Sequence, residues 1–196
     1  MTDQTMMDVL AKAPGQDEVL PFSVDALDVR GRVVHLNQSI NSILARHDYP
    51  KPVARLLGQA AALTVMLAAS IKLEGRLILQ AQTDGPVLVV DMRAPGDYRA
   101  TASFDAERVA ELEDADAGAL LGSGTLALTI DQGQYMNRYQ GYVELNGGSL
   151  EDAAHEYFTR SEQIPTRIRL AVSELITRSE SGEAIHAWQA SGVMIQ

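Results

Sequence analysis

Apolar positions along the chain change their period several times, and each change marks the start of a new element. Over residues 22–36, Val24, Val29, Val33 and Val34 are β-branched and predict extended structure ending at Leu36, with Gly31 weakening the strand or marking a bulge. From Asn37 the spacing becomes helical. Ile40, Ile43, Leu44 and His47 share one face, Asn37 is a suitable N-cap, and Tyr49-Pro50 stops the run. A second helix follows, with Pro52 in its first turn, a body over 53–71 that is apolar nearly all round, and Gly75 past its end. That distribution predicts a helix packed on every side.

From Arg76 the period shifts to two. Leu77, Leu79 and Ala81 alternate with Ile78, Gln80 and Gln82, Asp84-Gly85-Pro86 turns the chain into a second strand, and Ala94-Pro95-Gly96 leads to a third over 98–104. Residues 105–116 are acidic and predict a solvated helix or loop, and 118–124 are small and are expected to be flexible. Two more alternating strands follow. Leu126, Leu128 and Ile130 line a face of one, and Tyr139, Val143 and Leu145 a face of the other, which Asn146-Gly147-Gly148 closes. Ser149 and Asp152 then form a capping box before a helix with Leu150, Ala153, Ala154, Tyr157 and Phe158 on its apolar stripe. After Pro165, Ile168, Leu170 and Val172 alternate again, and a polar turn at Ser181-Gly182 leads to a last apolar segment over 184–196. Strands in a meander with helices in two groups predict an α+β fold on a largely antiparallel or mixed sheet. The expected boundaries are a flexible arm over 1–20, a core domain over 21–178, and a C-terminal strand with the start of a linker over 179–196.

Composition narrows the function. At 196 residues the chain is long enough for one packed domain without metal or disulfide staples. It holds no cysteine, which excludes a thiol nucleophile, a thiolate zinc site and a redox pair. The net charge of −10 disfavours nucleic acid as a partner and favours solubility. The apolar run over 56–71 falls short of the roughly 20 residues that span a bilayer, and the N-terminus has no signal-peptide pattern, so a cytoplasmic protein without a membrane segment is expected.

Candidate chemistry is sparse. Gly122-Ser123-Gly124-Thr125-Leu126-Ala127 fits a dinucleotide fingerprint, but a strand follows where phosphate binding needs a helix N-terminus, so a tight turn is expected. His155-Glu156 begins a zinc-protease motif that fails at Thr159, leaving no second imidazole. His35, His47 and His186 share no ligand spacing, and Arg160, Arg167, Arg169 and Arg178 are expected in salt bridges against the acidic excess. Tyr135, Tyr139, Tyr142, Tyr157 and Phe158 are expected to pack core and sheet, or to offer apolar surface to other chains. No catalytic, cofactor-binding or metal-ligating residue is assigned.

HDYPKPV (47–53), TDGP (83–86), RYQGYVEL (138–145) and YFTRSEQIPTR (157–167) resemble the bacterial redox-regulated chaperonins of the heat-shock protein 33 family over residues 22–196. The resemblance implies an α+β core domain of a cytoplasmic, ATP-independent holdase, a non-enzyme that binds unfolding clients under oxidative or heat stress and tends to form homodimers. It also implies a C-terminal domain whose four thiolates hold zinc when reduced. That module is absent from these residues, so the chain is expected to be the core of a longer member rather than a switchless relative. The family's small pair before the last strand departs here at Ser191. Client contact is expected on the open face of the sheet and on Ile185, Trp188, Val193, Met194 and Ile195. Two other readings remain: an enzyme for a small ligand built on Tyr135, Arg138, His155 and Glu156, and a structural dimerisation domain.

Overall fold

The computed structural model describes residues 16–71, 73–112, 117–132, 138–178 and 184–196, without the side chains of Thr177 and Ile185. Among these, two antiparallel sheets enclose one long helix. The first sheet has the order β1 (Glu18–Val24), β2 (Val29–Leu36), β9 (Ala184–Ile195), β8 (Arg167–Arg178). The second runs β5 (Asp97–Ser103), β4 (Val87–Arg93), β3 (Arg76–Thr83), β6 (Ser123–Asp131), β7 (Tyr139–Asn146). Helix α1 (Gln38–Leu44) leads into α2 (Lys51–Ser70), while α3 (Ala106–Glu111), α4 (Ala117–Leu121) and α5 (Leu150–Tyr157) lie in the connections.

Helix α2 explains its own sequence. It packs against β2, β8 and β9 on one side and β3, β4 and β5 on the other, so apolar residues are needed all round it. Leu56, Leu57, Leu63 and Met66 are fully buried between the sheets. By length and composition α2 would cross a membrane, yet 78% of its most apolar window is buried within the protein, as a core helix requires. Leu77, Leu79, Leu88, Val90, Leu126 and Leu145 close the same core from the five-stranded sheet.

Several local expectations are corrected. Residues 22–36 are not one strand: a 3₁₀ turn over Asp25–Leu27, with Asp28 left-handed at φ 49°, folds β1 back onto β2. Asn37 does not cap α1 with its side chain. Asp17 does, since its carboxylate accepts from the Asn37 N–H (2.6 Å) and the Ser39 N–H (3.0 Å). The stretch 118–124 is no loose linker, because Leu120 and Leu121 of α4 are buried in the core. The arm expected over 1–20 gives up Glu18, Val19 and Leu20 to β1, and residues 1–15 lie outside the described ones, as does the turn at Ser181-Gly182. β9 (Ala184–Ile195) is an interior strand, paired with β2 on one side and β8 on the other.

The capping box at α5 is present. The Asp152 N–H donates to Ser149 Oγ (3.1 Å) and the Ser149 N–H to Asp152 Oδ2 (3.0 Å), while the whole predicted stripe from Leu150 to Phe158 is buried. Helix α5 ends in a π turn over Phe158–Glu162, and the burial of Tyr157 pushes its phenol up while its hydroxyl donates to Glu162 Oε1 (2.7 Å).

Candidate functional site

Alternation along β9 divides the predicted client residues between two faces. Met194 is 0% exposed and sits in the core, and half-buried Trp188 packs against that core on the same inner face, its backbone N–H donating to Asn41 Oδ1 (2.9 Å). Val193 is half-buried and Ile195 is 40% exposed, both on the outer face. Ile185 pairs with Thr177, and its side chain lies outside the description. The five therefore do not form one surface.

The register of the four-stranded sheet assembles a different one. Leu20, Val33, Val193 and Arg169 stand in one row across β1, β2, β9 and β8, and Phe22, Gly31, Ile195 and Arg167 in the next. Leu20 is 48% exposed, and the Phe22 ring lies so close over Gly31 that any side chain there would meet the ring and the Met194 carbonyl. Glycine on β2 thus seats an aromatic ring flat on the sheet, the use a strand glycine is suited to. The result is an apolar strip, rimmed on β8 by two guanidinium groups, with Arg169 paired to Glu151 (2.9 Å). Sequence reasoning missed this surface because it placed Leu20 in the arm over 1–20 and read Phe22 and Val33 as parts of one segment over 22–36. The period-two pattern of 18–24 was the available signal.

The outer face of the five-stranded sheet mixes polar residues such as Gln80 and Thr129 with Ile78, Val89 and the exposed Tyr142. Asp91, only 7% exposed, accepts from Arg76 Nε (2.6 Å) and Nη2 (2.8 Å) and from Arg99 Nη2 (2.7 Å). The Arg76 hydrogen bonds, seconded by Arg99 against the cost of burial, hold its carboxyl down to about 2. This is a brace across β3, β4 and β5, with every oxygen of the buried charge occupied.

The residues of the alternative enzyme reading do not converge on a cavity. His155 Nε2 accepts from the Ile168 N–H (2.9 Å), Glu156 pairs with Arg160 (2.7 Å), Arg138 pairs with Asp131 (3.4 Å), and Tyr135 lies outside the described residues. A cleft of about 610 Å³ opens elsewhere, between α1, the end of α2 and the β4–β5 turn, and neither Arg138, His155 nor Glu156 lines it. Its walls include Leu36, Ile43, Val65 and Met92, with Ser39 Oγ and Tyr98 Oη 2.6 Å apart, and burial pushes the Tyr98 phenol up. At the Gly122-Ser123-Gly124 turn, the Ser123 N–H donates to Asp84 Oδ1 (2.7 Å), so the amide a phosphate would need is already bound. Tyr139 and Tyr142 are exposed on β7 whereas Tyr157 and Phe158 are buried, so the aromatic cluster splits between surface and core. The zinc that the resemblance implies finds no fit. The chain has no cysteine, and among the described residues no group of three His, Asp or Glu is placed to hold a metal ion.

A family model described as Hsp33 protein matches residues 17–196, beginning at the residue that caps α1. The 33 kDa chaperonin of Caulobacter vibrioides (strain NA1000 / CB15N) is 46% identical over 186 residues, covering 92% of this chain and 60% of that protein. That of Ectopseudomonas mendocina (strain ymp) is 42% identical over 151 residues, covering 76% and 50% respectively. In fold, the chain is similar to the crystal structure of the 33 kDa chaperonin (heat shock protein 33 homolog) from Thermotoga maritima, with a TM-score of 0.65 at 19% identity over 90% of this chain and 60% of that one. The chain thus spans between half and three fifths of the length of these relatives. A match running from Asp17 to the last residue, with the same α+β core, establishes that this chain belongs to the Hsp33 family.

Proposed function

We propose that the chain is the binding core of an ATP-independent holdase, which takes up unfolding proteins on the outer face of its four-stranded sheet and performs no chemical step. The observation that carries this reading is the apolar strip of Leu20, Phe22, Val33, Val193 and Ile195. These are large side chains left partly exposed in two adjacent rows of a sheet whose other face is the protein core. Unfolded chains differ from folded ones in showing apolar side chains, so a flat apolar strip selects for them without reading sequence. The net charge of −10 keeps such complexes apart in solution. Of the five residues expected from sequence, Val193 and Ile195 belong to this surface, and Trp188 and Met194 would join it only if β9 left its place between β2 and β8.

In this reading the protein works in the cytoplasm as a homodimer during oxidative or heat stress, and redox gating resides in a cysteine–zinc module outside these residues. The direct test is fluorescence anisotropy of a labelled, permanently unfolded polypeptide titrated with the chain, without nucleotide. Saturable binding that weakens when Leu20 and Ile195 are both changed to Ser is expected. Undiminished binding by that folded double variant would remove the strip from the account. Sedimentation over a concentration series tests the dimer.

A further inference from the structure

β8 is an edge strand, with β9 on one side and no strand on the other among the described residues. Which of its backbone groups face that open side follows from two contacts. The Ile168 N–H donates to His155 Nε2 (2.9 Å) and the Leu170 N–H to Glu151 Oε1 (2.6 Å), so the even-numbered amides of β8 point away from β9 and toward α5. The two-residue period of the ladder carries this to Val172, Glu174 and Ile176. There α5 no longer reaches. No described residue accepts from these three amides, so this part of the β8 edge stands open.

Edge strands are ordinarily guarded by proline, bulges or charge. The opposite edge of the same sheet carries Pro21 in β1. From Val172 to Ile176 the β8 register is unbroken and contains no proline, and its one charge, Glu174, is held by Lys51 Nζ (2.8 Å) and His186 Nδ1 (2.6 Å). Leu175 and Ile176 are 42% and 58% exposed on opposite faces of the strand. An incoming strand would therefore find unpaired amides between two apolar side chains.

We propose that the open edge of β8 from Val172 to Ile176 takes an extended segment of an unfolded polypeptide as an added strand. The inference rests on the holdase reading and supplies it with a sequence-independent contact, because main-chain pairing asks nothing of the client's side chains. The occupant is a single extended segment. The open edge is about 17 Å long at roughly 3.3 Å per residue, far too short to bury the roughly 1,600 Å² of a stable interface between two copies. The edge is continuous with the sheet that carries the apolar strip, so one client chain can lie across both.

The test separates backbone from side chain. Ile176→Pro removes an outward amide without touching a β8–β9 hydrogen bond, a change edge strands accept, whereas Ile176→Ala trims the side chain and keeps the amide. With labelled, reduced and carboxymethylated lactalbumin as probe, Ile176→Pro is expected to weaken binding roughly three- to tenfold more than Ile176→Ala, as loss of one hydrogen bond implies. Amide exchange by NMR provides a second readout in the unmodified protein. Probe binding should slow exchange at residues 172, 174 and 176 and leave 168 and 170 unchanged, and this result decides the matter if Ile176→Pro does not fold. Tight probe binding with equal affinity in both variants and unchanged exchange overturns the edge proposal and leaves the holdase reading standing. No probe binding by the unmodified protein overturns both. Slow exchange at these amides in the free protein that is lost on dilution assigns the edge to a second copy and also overturns the proposal.

Discussion

His155 Nε2 accepts the Ile168 N–H at 2.9 Å, fastening α5 to the free side of β8. Four residues earlier on the same helix, Glu151 Oε1 accepts the Leu170 N–H at 2.6 Å, so two side chains one helical turn apart take the place of a missing neighbour strand. With Nε2 as acceptor, the neutral ring carries its proton on Nδ1. His155→Ala leaves a part-buried amide without a partner and is expected to cost about 1–3 kcal/mol. His155→Gln, which can still present an acceptor, should cost less. Urea denaturation of the two variants checks this, and equal midpoints for His155→Ala and the parent would remove the bond from the stability account.

The cap on α1 comes from twenty residues upstream, where Asp17 accepts from the N–H groups of Asn37 and Ser39. Asp17→Ala should destabilise the protein by about 1 kcal/mol, the ordinary worth of an N-cap. Asn37→Ala should cost much less, since the Asn37 side chain makes no capping bond. Thermal unfolding of both variants distinguishes them, and the reverse order would show that the cap is Asn37 after all.

Asp91 predicts a specific acid sensitivity. Its carboxyl is held at about 2 by Arg76 and Arg99, below the ordinary 3.8 it regains on unfolding. The brace therefore stabilises the fold fully above about pH 4, and the contribution falls away as pH drops from there toward 2. Because Arg99 is largely exposed and screened, the contribution is about 1–2 kcal/mol rather than more. The stability difference between the parent and Asp91→Asn, followed by denaturant titration at successive pH values, should shrink over that window. A difference that stays constant from pH 6 to pH 2 would contradict the assignment.

Much of the fold is legible in the sequence because its signals are local. The all-round apolar body of α2, the Ser149 and Asp152 box, and the alternation of Leu77, Leu79 and Ala81 each name an element from neighbouring residues alone. Long-range relationships are what the sequence hides. Nothing within 22–36 shows that Asp28 reverses the chain, and nothing near Asn37 shows that Asp17 will cap it, because both depend on β1 pairing with β2. The surface suffers most. Leu20, Val33 and Val193 come from three strands and meet only through the sheet register, so a reading along the chain gathered the apolar residues of 185–195 into one patch that strand alternation then divided.

The central claim is that the apolar strip holds unfolding chains without nucleotide. The measurement that tests it most directly is light scattering of a chemically unfolded test protein diluted into reducing buffer without ATP, alone, with this chain, and with the Leu20→Ser/Ile195→Ser variant. Suppression of scattering near equimolar ratio by the parent chain, with substantially weaker suppression by an equally stable variant, is the predicted result. Unchanged scattering in the presence of the folded parent chain would contradict it.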